Sequence, residues 1–317
     1  MTPLAQTPLR GVIPPVCTPL TADLHIDVPS LERLVDHLLD GGVDGLFVLG
    51  STGEVAYLPD SQRRLVTETV VTRVDGRVPV LAGAIDMTTA RVAEHAEAAL
   101  KDGADGVVAT APFYTRTHPA EIERHFRLLA DRIDAPIYAY DLPVSVHVKL
   151  DAGMLLRLAG DGVLAGLKDS SGDESNLRRL LMLRDDLGMT AGAFAVLTGS
   201  ELTVDAALNM GADGVVPGYG NVDPSGYARL YRLCRAGDWN RARTEQERLL
   251  RGFEIVSTPD TARMGGSSAA LGAFKAALRL LGIIDNSLTA PPQIPLDEIE
   301  VAGIAKILVR AGLVVRQ

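Results

Sequence analysis

Cysteine is nearly absent from this 317-residue chain, with Cys17 and Cys234 the only two. So wide a separation supplies neither a disulfide framework nor a metal-ligand spacing. Cys17 lies in an apolar run and reads as a small buried hydrophobe. Aromatic residues make up only 4% of the chain. The dominance of Ala, Val, Leu and Gly suits α/β packing better than an all-β sandwich. Positive charge is also short, at 31 Lys and Arg against 40 Asp and Glu, a net charge of −9. That balance argues against nucleic acid or an anionic membrane as partner. No apolar run is long enough to cross a bilayer, and the opening MTPLAQTPLRG has no apolar signal core. The expected location is therefore the cytoplasm. The six histidines (His25, His37, His95, His118, His125 and His147) include no H-x-H or H-E-x-x-H spacing, which argues against a metal-dependent aldolase. Neither a G-x-G-x-x-G turn nor a Walker A lysine is present.

Repetition is what the chain does have. Gly-Ala-Asp-Gly-Val-Val occurs at 103–108 and again at 211–216, and a cousin, Gly-Val-Asp-Gly-Leu-Phe, occupies 42–47. The copies are spaced by roughly two and four lengths of a βα unit of about 30 residues. Each has the same form: a helix ends, glycine caps it, Asp-Gly turns, and an apolar run begins. Apolar runs bounded by Gly, Pro or Asp fall at 11–18, 45–50, 78–84, 106–110, 136–140, 163–168, 190–199 and 214–218. Amphipathic helical patterns lie between them at 30–39, 61–74, 88–101, 119–132, 152–158 and 174–187. Eight strands alternating with helices predict a (β/α)8 TIM barrel of the α/β class, with an open doubly wound sheet as the alternative. Beyond Pro224 the pattern is helical only, at 227–234, 241–255, 269–281 and 297–311. The expected division is a barrel over 1–235 and a C-terminal helical region over 236–317 packed on it.

In such a barrel the chemistry sits at the C-terminal ends of the strands. Those ends carry Thr18, Gly50-Ser51-Thr52-Gly53-Glu54, Thr110 to Tyr114, Tyr140-Asp141-Leu142-Pro143, Lys168, Gly199-Ser200-Glu201 and Gly218-Tyr219-Gly220. The most informative is Lys168, which ends the apolar run Val163-Leu164-Ala165-Gly166-Leu167 and is followed at once by Asp169-Ser170-Ser171-Gly172. A lysine whose charged form is disfavoured by burial has a lone pair free to attack a carbonyl, as Schiff-base chemistry requires. Taken alone, the same lysine can equally snorkel to solvent. Likewise Gly50–Gly53 alone can be a tight βα turn, Tyr140 a core aromatic and Tyr114 a loop-packing residue.

Taken together, Gly50-Ser51-Thr52-Gly53-Glu54, Tyr140-x-x-Pro143 and Gly166-Leu167-Lys168-Asp169-Ser170-Ser171-Gly172 resemble the dihydrodipicolinate synthase / N-acetylneuraminate lyase family of class I, pyruvate-dependent aldolases. Thr18-Pro19 and Gly220-Asn221-Val222-x-Pro224 fit the same pattern. The resemblance implies a Schiff-base-forming lyase that needs no metal or other cofactor. Lys168 would be the Schiff-base lysine and Tyr140 the proton shuttle. Ser51 and Tyr114 would form the relay, Tyr114 being lent by a neighbouring subunit. The backbone and hydroxyls of Ser51 and Thr52, beside Gly50, would cradle the substrate carboxylate. Val216 would line the pocket. The implied partners are a 2-keto acid, an aldehyde and further copies of the chain in a homotetramer (a dimer of dimers).

Two departures bear on the substrate. Dihydrodipicolinate synthases carry an arginine two residues beyond the proline of Tyr-x-x-Pro, where this chain has Ser145. A serine cannot reproduce the bidentate grip of a guanidinium on a carboxylate. N-acetylneuraminate lyases place an acidic pair after the seventh strand, where Gly199-Ser200-Glu201-Leu202 keeps one carboxylate. A 2-keto-3-deoxy sugar acid, bound with help from Ser145, Glu201 and His147, is the expected substrate class. The alternatives are dihydrodipicolinate synthase activity, dehydration of a keto-deoxy sugar acid, and a non-catalytic barrel that binds a keto acid.

Overall fold

The computed structural model describes residues 9–316. Eight parallel strands form one sheet: β1 (Gly11–Val12), β2 (Leu46–Val48), β3 (Val80–Gly83), β4 (Gly106–Thr110), β5 (Ile137–Asp141), β6 (Gly166–Asp169), β7 (Ala195–Thr198) and β8 (Gly214–Val215). Neighbours pair in the order β1-β8-β7-β6-β5-β4-β3-β2. The ring closes between its two ends, where Pro15 bridges Phe47 in parallel, just beyond β1. There the Phe47 N–H donates to the Pro14 carbonyl at 3.1 Å and the Val16 N–H to the Phe47 carbonyl at 2.8 Å. This is a (β/α)8 barrel. The run at 11–18 is regular strand only at its start, because Pro14 and Pro15 have no N–H to continue the ladder.

Helices cover the barrel: α1 (Val28–Asp40), α2 (Asp60–Val74), α3 (Thr89–Lys101), α4 (Pro119–Ala130), α5 (Pro143–Val146), α6 (Ala152–Gly160), α7 (Glu174–Asp186), α8 (Val204–Asn209) and α9 (Pro224–Arg235). Three more follow: α10 (Trp239–Phe253), α11 (Gly266–Leu280) and α12 (Glu298–Arg310). Aspartate starts many of them. Asp27, Asp151, Asp173, Asp223, Asp238 and Asp297 each accept a hydrogen bond from a first-turn N–H, a cap worth about 1 kcal/mol. In α1, Leu31, Leu34, Val35 and Leu38 are buried at helical spacing. Each such side chain contributes roughly 1.5–3 kcal/mol relative to exposure.

The apolar residues divide by strand alternation. Ile13, Phe47, Leu81, Val108, Tyr138, Tyr140, Ala195, Leu197 and Val216 fill the barrel interior. Val107 and Ala109, facing the other way, pack with helix residues such as Phe126 and Leu155. Helices α10 to α12 contribute Leu249, Ala273, Leu278 and Ile304 to the same apolar cluster as Leu31 and Leu34 of α1.

The repeated hexapeptide has a physical role at the N-terminal ends of the strands. In each copy the aspartate carboxylate accepts the backbone N–H of a residue on a neighbouring strand: Asp44 from Val12 at 2.9 Å, Asp105 from Val80 at 2.8 Å, and Asp213 from Val196 at 2.8 Å. The preceding glycines Gly42, Gly103 and Gly211 have φ of 79°, 100° and 106°, the left-handed region a side chain disfavours. The motif is thus a bracket that fixes strand spacing. Two expected segments differ in detail. Residues 190–194 form a turn, with the Ala193 and Phe194 N–H groups both donating to the Thr190 carbonyl. The short α5 and α8 fall where no helix was expected, because each is too brief to show a periodic apolar stripe.

Asp213 does more than the other two aspartates, since it also pairs at 2.5 Å with the buried Arg184 guanidinium. Asp213→Ala should therefore lower the unfolding free energy by about 3–5 kcal/mol, because it strands a buried charge. Asp105→Ala, which frees only the Val80 amide, should cost about 1–3 kcal/mol. Denaturant melts of the two variants check this, and equal losses would show that the ion pair adds nothing.

Candidate active site

The parallel register of β5 and β6 sets Tyr140 opposite Lys168, and that of β4 and β5 sets Thr110 opposite Tyr140. All three are buried; Lys168 keeps 6% of its surface exposed and Tyr140 3%. Lys168 Nζ lies 4.0 Å from the Tyr140 ring centre and 4.9 Å from that of Phe47. The two rings meet edge to face at 6.4 Å. An amine so placed is held by aromatic faces rather than by water. Burial pushes the Tyr140 hydroxyl up. The Lys168 charge and the side chains of Ser51, Lys168 and Ser170 around that hydroxyl outweigh burial and bring it below the ordinary tyrosine value.

Ser51 comes to this hydroxyl on a tightly built loop. A side chain at Gly50 would meet the Phe47 ring at 2.7 Å, so only glycine lets the chain turn there. The flanking Leu49 and Glu54 both adopt left-handed backbone, with φ of 56° and 59°. The Thr18 hydroxyl donates to the Gly53 carbonyl at 2.8 Å, and the Glu54 N–H to the Ser51 carbonyl at 3.1 Å. Among the described residues the Ser51 and Thr52 N–H groups have no backbone partner. Two such unpartnered donors on one turn are of the kind that can receive an anion.

The remaining candidates are placed as follows. Val216 is buried in the barrel interior just past β8, and its N–H donates to the Thr198 carbonyl at 2.8 Å. Ser145 is exposed on α5, and His147 ends that helix with a φ of 60°. Tyr114 is 89% exposed with a φ of 76°, so its side chain projects away from the chain that carries it. Glu201 is engaged by protein on both oxygens, accepting from the Tyr219 N–H at 3.0 Å and from the Tyr227 hydroxyl at 2.5 Å.

Three residues near the site were given no role by the sequence reading. Asp141 and Asp169 follow Tyr140 and Lys168, lie opposite each other in the ladder, and face outward. Lys149 pairs with Asp141 and stands 3.9 Å from Asp169. Burial and the Asp169 charge push the Asp141 carboxyl up, and Lys149 pulls it back. The available signal was an aspartate directly after each of the two central residues. Among the described residues no group of three or more His, Cys, Asp or Glu is arranged to hold a metal ion.

Comparison with known proteins decides the family. The model of the dihydrodipicolinate synthetase family matches residues 8–311. The chain belongs to this family. It is similar to the 4-hydroxy-tetrahydrodipicolinate synthase of Kineococcus radiotolerans, 33% identical over 98% of this chain and 97% of that protein. It is also similar to YagE of Escherichia coli K12, provisionally named a 2-dehydro-3-deoxy-D-gluconate aldolase, 31% identical over 94% of this chain and 95% of that protein. The crystal structure of YagE with pyruvate superposes with a TM-score of 0.88 at 30% identity, over 97% of this chain and 100% of that one. Members of the dihydrodipicolinate synthetase family are lyases of the class I aldolase type, and so is this chain.

Glu201 yields a pH prediction. Burial pushes its carboxyl up to about 6, against the pull of its Tyr227, Tyr219 and Gly218 hydrogen bonds and the Lys168 charge. A carboxyl raised in the folded state stabilises the fold below its unfolded value and loses that contribution as pH rises through the folded value. Relative to Glu201→Gln, the wild-type stability should fall by about 2 kcal/mol between pH 4.5 and 7. Denaturant midpoints of both proteins across that range check it, and a constant difference would refute it.

Proposed function

We propose that the protein makes or cleaves the carbon–carbon bond between pyruvate and an aldehyde, with a 2-keto-3-deoxy sugar acid as the joined compound. The observation that carries this reading is Lys168 Nζ against the Tyr140 ring, beside a hydroxyl that faces Ser51 and Ser170. The pyruvate complex of YagE and that protein's provisional name support the substrate class. Relatives named as synthases favour dihydrodipicolinate chemistry as a second reading. Against it stands Ser145, which offers no positive charge to an aldehyde's carboxylate.

In the cleavage direction the Lys168 amine attacks the keto carbon through its nitrogen lone pair, forming a C–N bond and a carbinolamine. Tyr140 passes the amine's proton to the former carbonyl oxygen and then donates its own phenol proton to the resulting hydroxyl, which leaves as water and gives an iminium and a phenolate. The C3–C4 electron pair moves into the iminium while the C4 hydroxyl gives its proton to the Tyr140 phenolate, releasing the aldehyde and an enamine. Protonation at C3 and hydrolysis then free pyruvate and regenerate the lysine. Ser51 and Thr52 hold the substrate carboxylate throughout. The protein itself supplies the electron sink, so the scheme calls for no metal or organic cofactor.

Tyr114 completes the relay on a neighbouring subunit in this reading, within a homotetramer built as a dimer of dimers. Its exposure and left-handed backbone support that role. A cytoplasmic location agrees with two free, buried cysteines.

Borohydride reduction in the presence of pyruvate tests the chemistry. Mass spectrometry should find the adduct on Lys168 in the wild type and none in Lys168→Ala. Tyr140→Phe should slow trapping by about 10²–10³-fold. An untrapped wild type across a panel of 2-keto acids would leave a non-catalytic binding barrel. A dehydrated keto acid as product, in place of pyruvate plus aldehyde, would mark a dehydratase. Sharing of Tyr114 has its own test: coexpressed Lys168→Ala and Tyr114→Ala chains should regain activity that neither has alone. Mixed pairs hold one site with both groups, and failure to regain activity would dismiss the shared relay.

A further inference from the structure

Glu54 and Lys275 form an ion pair with side-chain exposures of 0% and 1%. Lys275 lies in the middle of α11, where its buried neighbours are Ala273, Phe274, Ala276 and Ala277. Its ammonium also donates to the Leu288 carbonyl at 2.8 Å. The second Glu54 oxygen accepts the Ala290 N–H at 2.7 Å. Residue 54 is thereby tied to α11 through Lys275 and to the segment after it through Ala290, and Lys275 is itself tied to that segment through Leu288. Cys17 is close enough to feel both charges, but burial pushes its thiol up to about 12, so it offers Lys275 no counter-charge.

Stability alone does not account for such a pair. Desolvating two charges costs several kcal/mol each, and well-packed apolar replacements are often neutral or better. The position of Glu54 suggests another role. It sits in strained left-handed backbone directly after Gly50-Ser51-Thr52-Gly53, and its N–H donates to the Ser51 carbonyl. Any movement of residue 54 is passed straight to the two free N–H groups of the cradle.

We propose that the Glu54–Lys275 pair is the positioning device of the substrate-carboxylate cradle, through which the C-terminal helices set affinity for the 2-keto acid. The two residues touch no substrate; they act through Ser51 and Thr52, and the inference rests on reading those two as the cradle.

The test is the pyruvate concentration that half-saturates borohydride trapping, measured on the full-length protein. Glu54→Gln with Lys275→Met removes both charges together and leaves neither one stranded. Glu54→Asp keeps the charge but withdraws the carboxylate by about 1.5 Å, and carries the test if the double variant does not fold. The expected result is a half-saturating concentration raised at least about tenfold, with the trapping rate at saturation unchanged because Lys168 and Tyr140 are intact. A folded variant with a lowered melting temperature but wild-type half-saturation would overturn the proposal and leave the pair a stability element. Absence of any adduct in the wild type would instead overturn the catalytic reading, and this inference with it.

Discussion

The register between β5 and β6 is the constraint on which the rest of the site depends. Because Tyr140 and Lys168 stand opposite each other in a parallel ladder, both side chains enter the barrel side by side. A flexible four-carbon amine gains a fixed address, with a phenol beneath it and the Phe47 ring alongside. A slip of one residue would turn the pair outward and bring Asp141 and Asp169 into the apolar interior. Those aspartates instead meet Lys149 on the outer face, where a cation offsets their mutual repulsion. The same ladder thus sorts reactive groups inward and compensating charges outward.

The two ends of the barrel are built from different chemistry. At the N-terminal ends, the aspartates of the repeated hexapeptide accept amides of neighbouring strands and hold the ring to its spacing. At the C-terminal ends, Lys168 and two engaged carboxylates, Glu54 and Glu201, are accompanied by hydroxyls and glycine turns, and among the described residues the Ser51 and Thr52 amides there have no backbone partner. Groups that complete their own hydrogen bonds stabilise; groups left open on a rigid frame are available to a ligand. This division lets substrate contacts change without loosening the frame.

Much of this was legible in the sequence, and the exceptions have physical causes. Lys168 and Tyr140 were readable because each ends an apolar run, and strand ends on one barrel face converge. The aspartate brackets were visible as repetition, although only the fold reveals which amide each one accepts. The first strand was read too long because apolar character continues through Pro14 and Pro15, where the missing N–H groups stop the ladder. The partners of Glu201, Tyr219 and Tyr227, were not readable because they lie beyond β8 and meet it only in the folded barrel. Lys275 was hidden for the same reason: its counter-charge is more than 200 residues away in the chain.

That long separation bears on why the barrel carries extra helices. An eight-stranded barrel already buries its own interior, so α10 to α12 are not needed to close it. They do place a fully desolvated ammonium behind the second strand's loop. A carboxylate on that loop, in left-handed backbone, meets a counter-charge there in place of water. The loop that carries the two unpartnered amides is thus anchored from outside the barrel. Lys168 and Tyr140 are set side by side by one strand pairing. The loop after the second strand is held, in addition, by helices remote from that pairing, so the two parts of the candidate site are built by different parts of the chain.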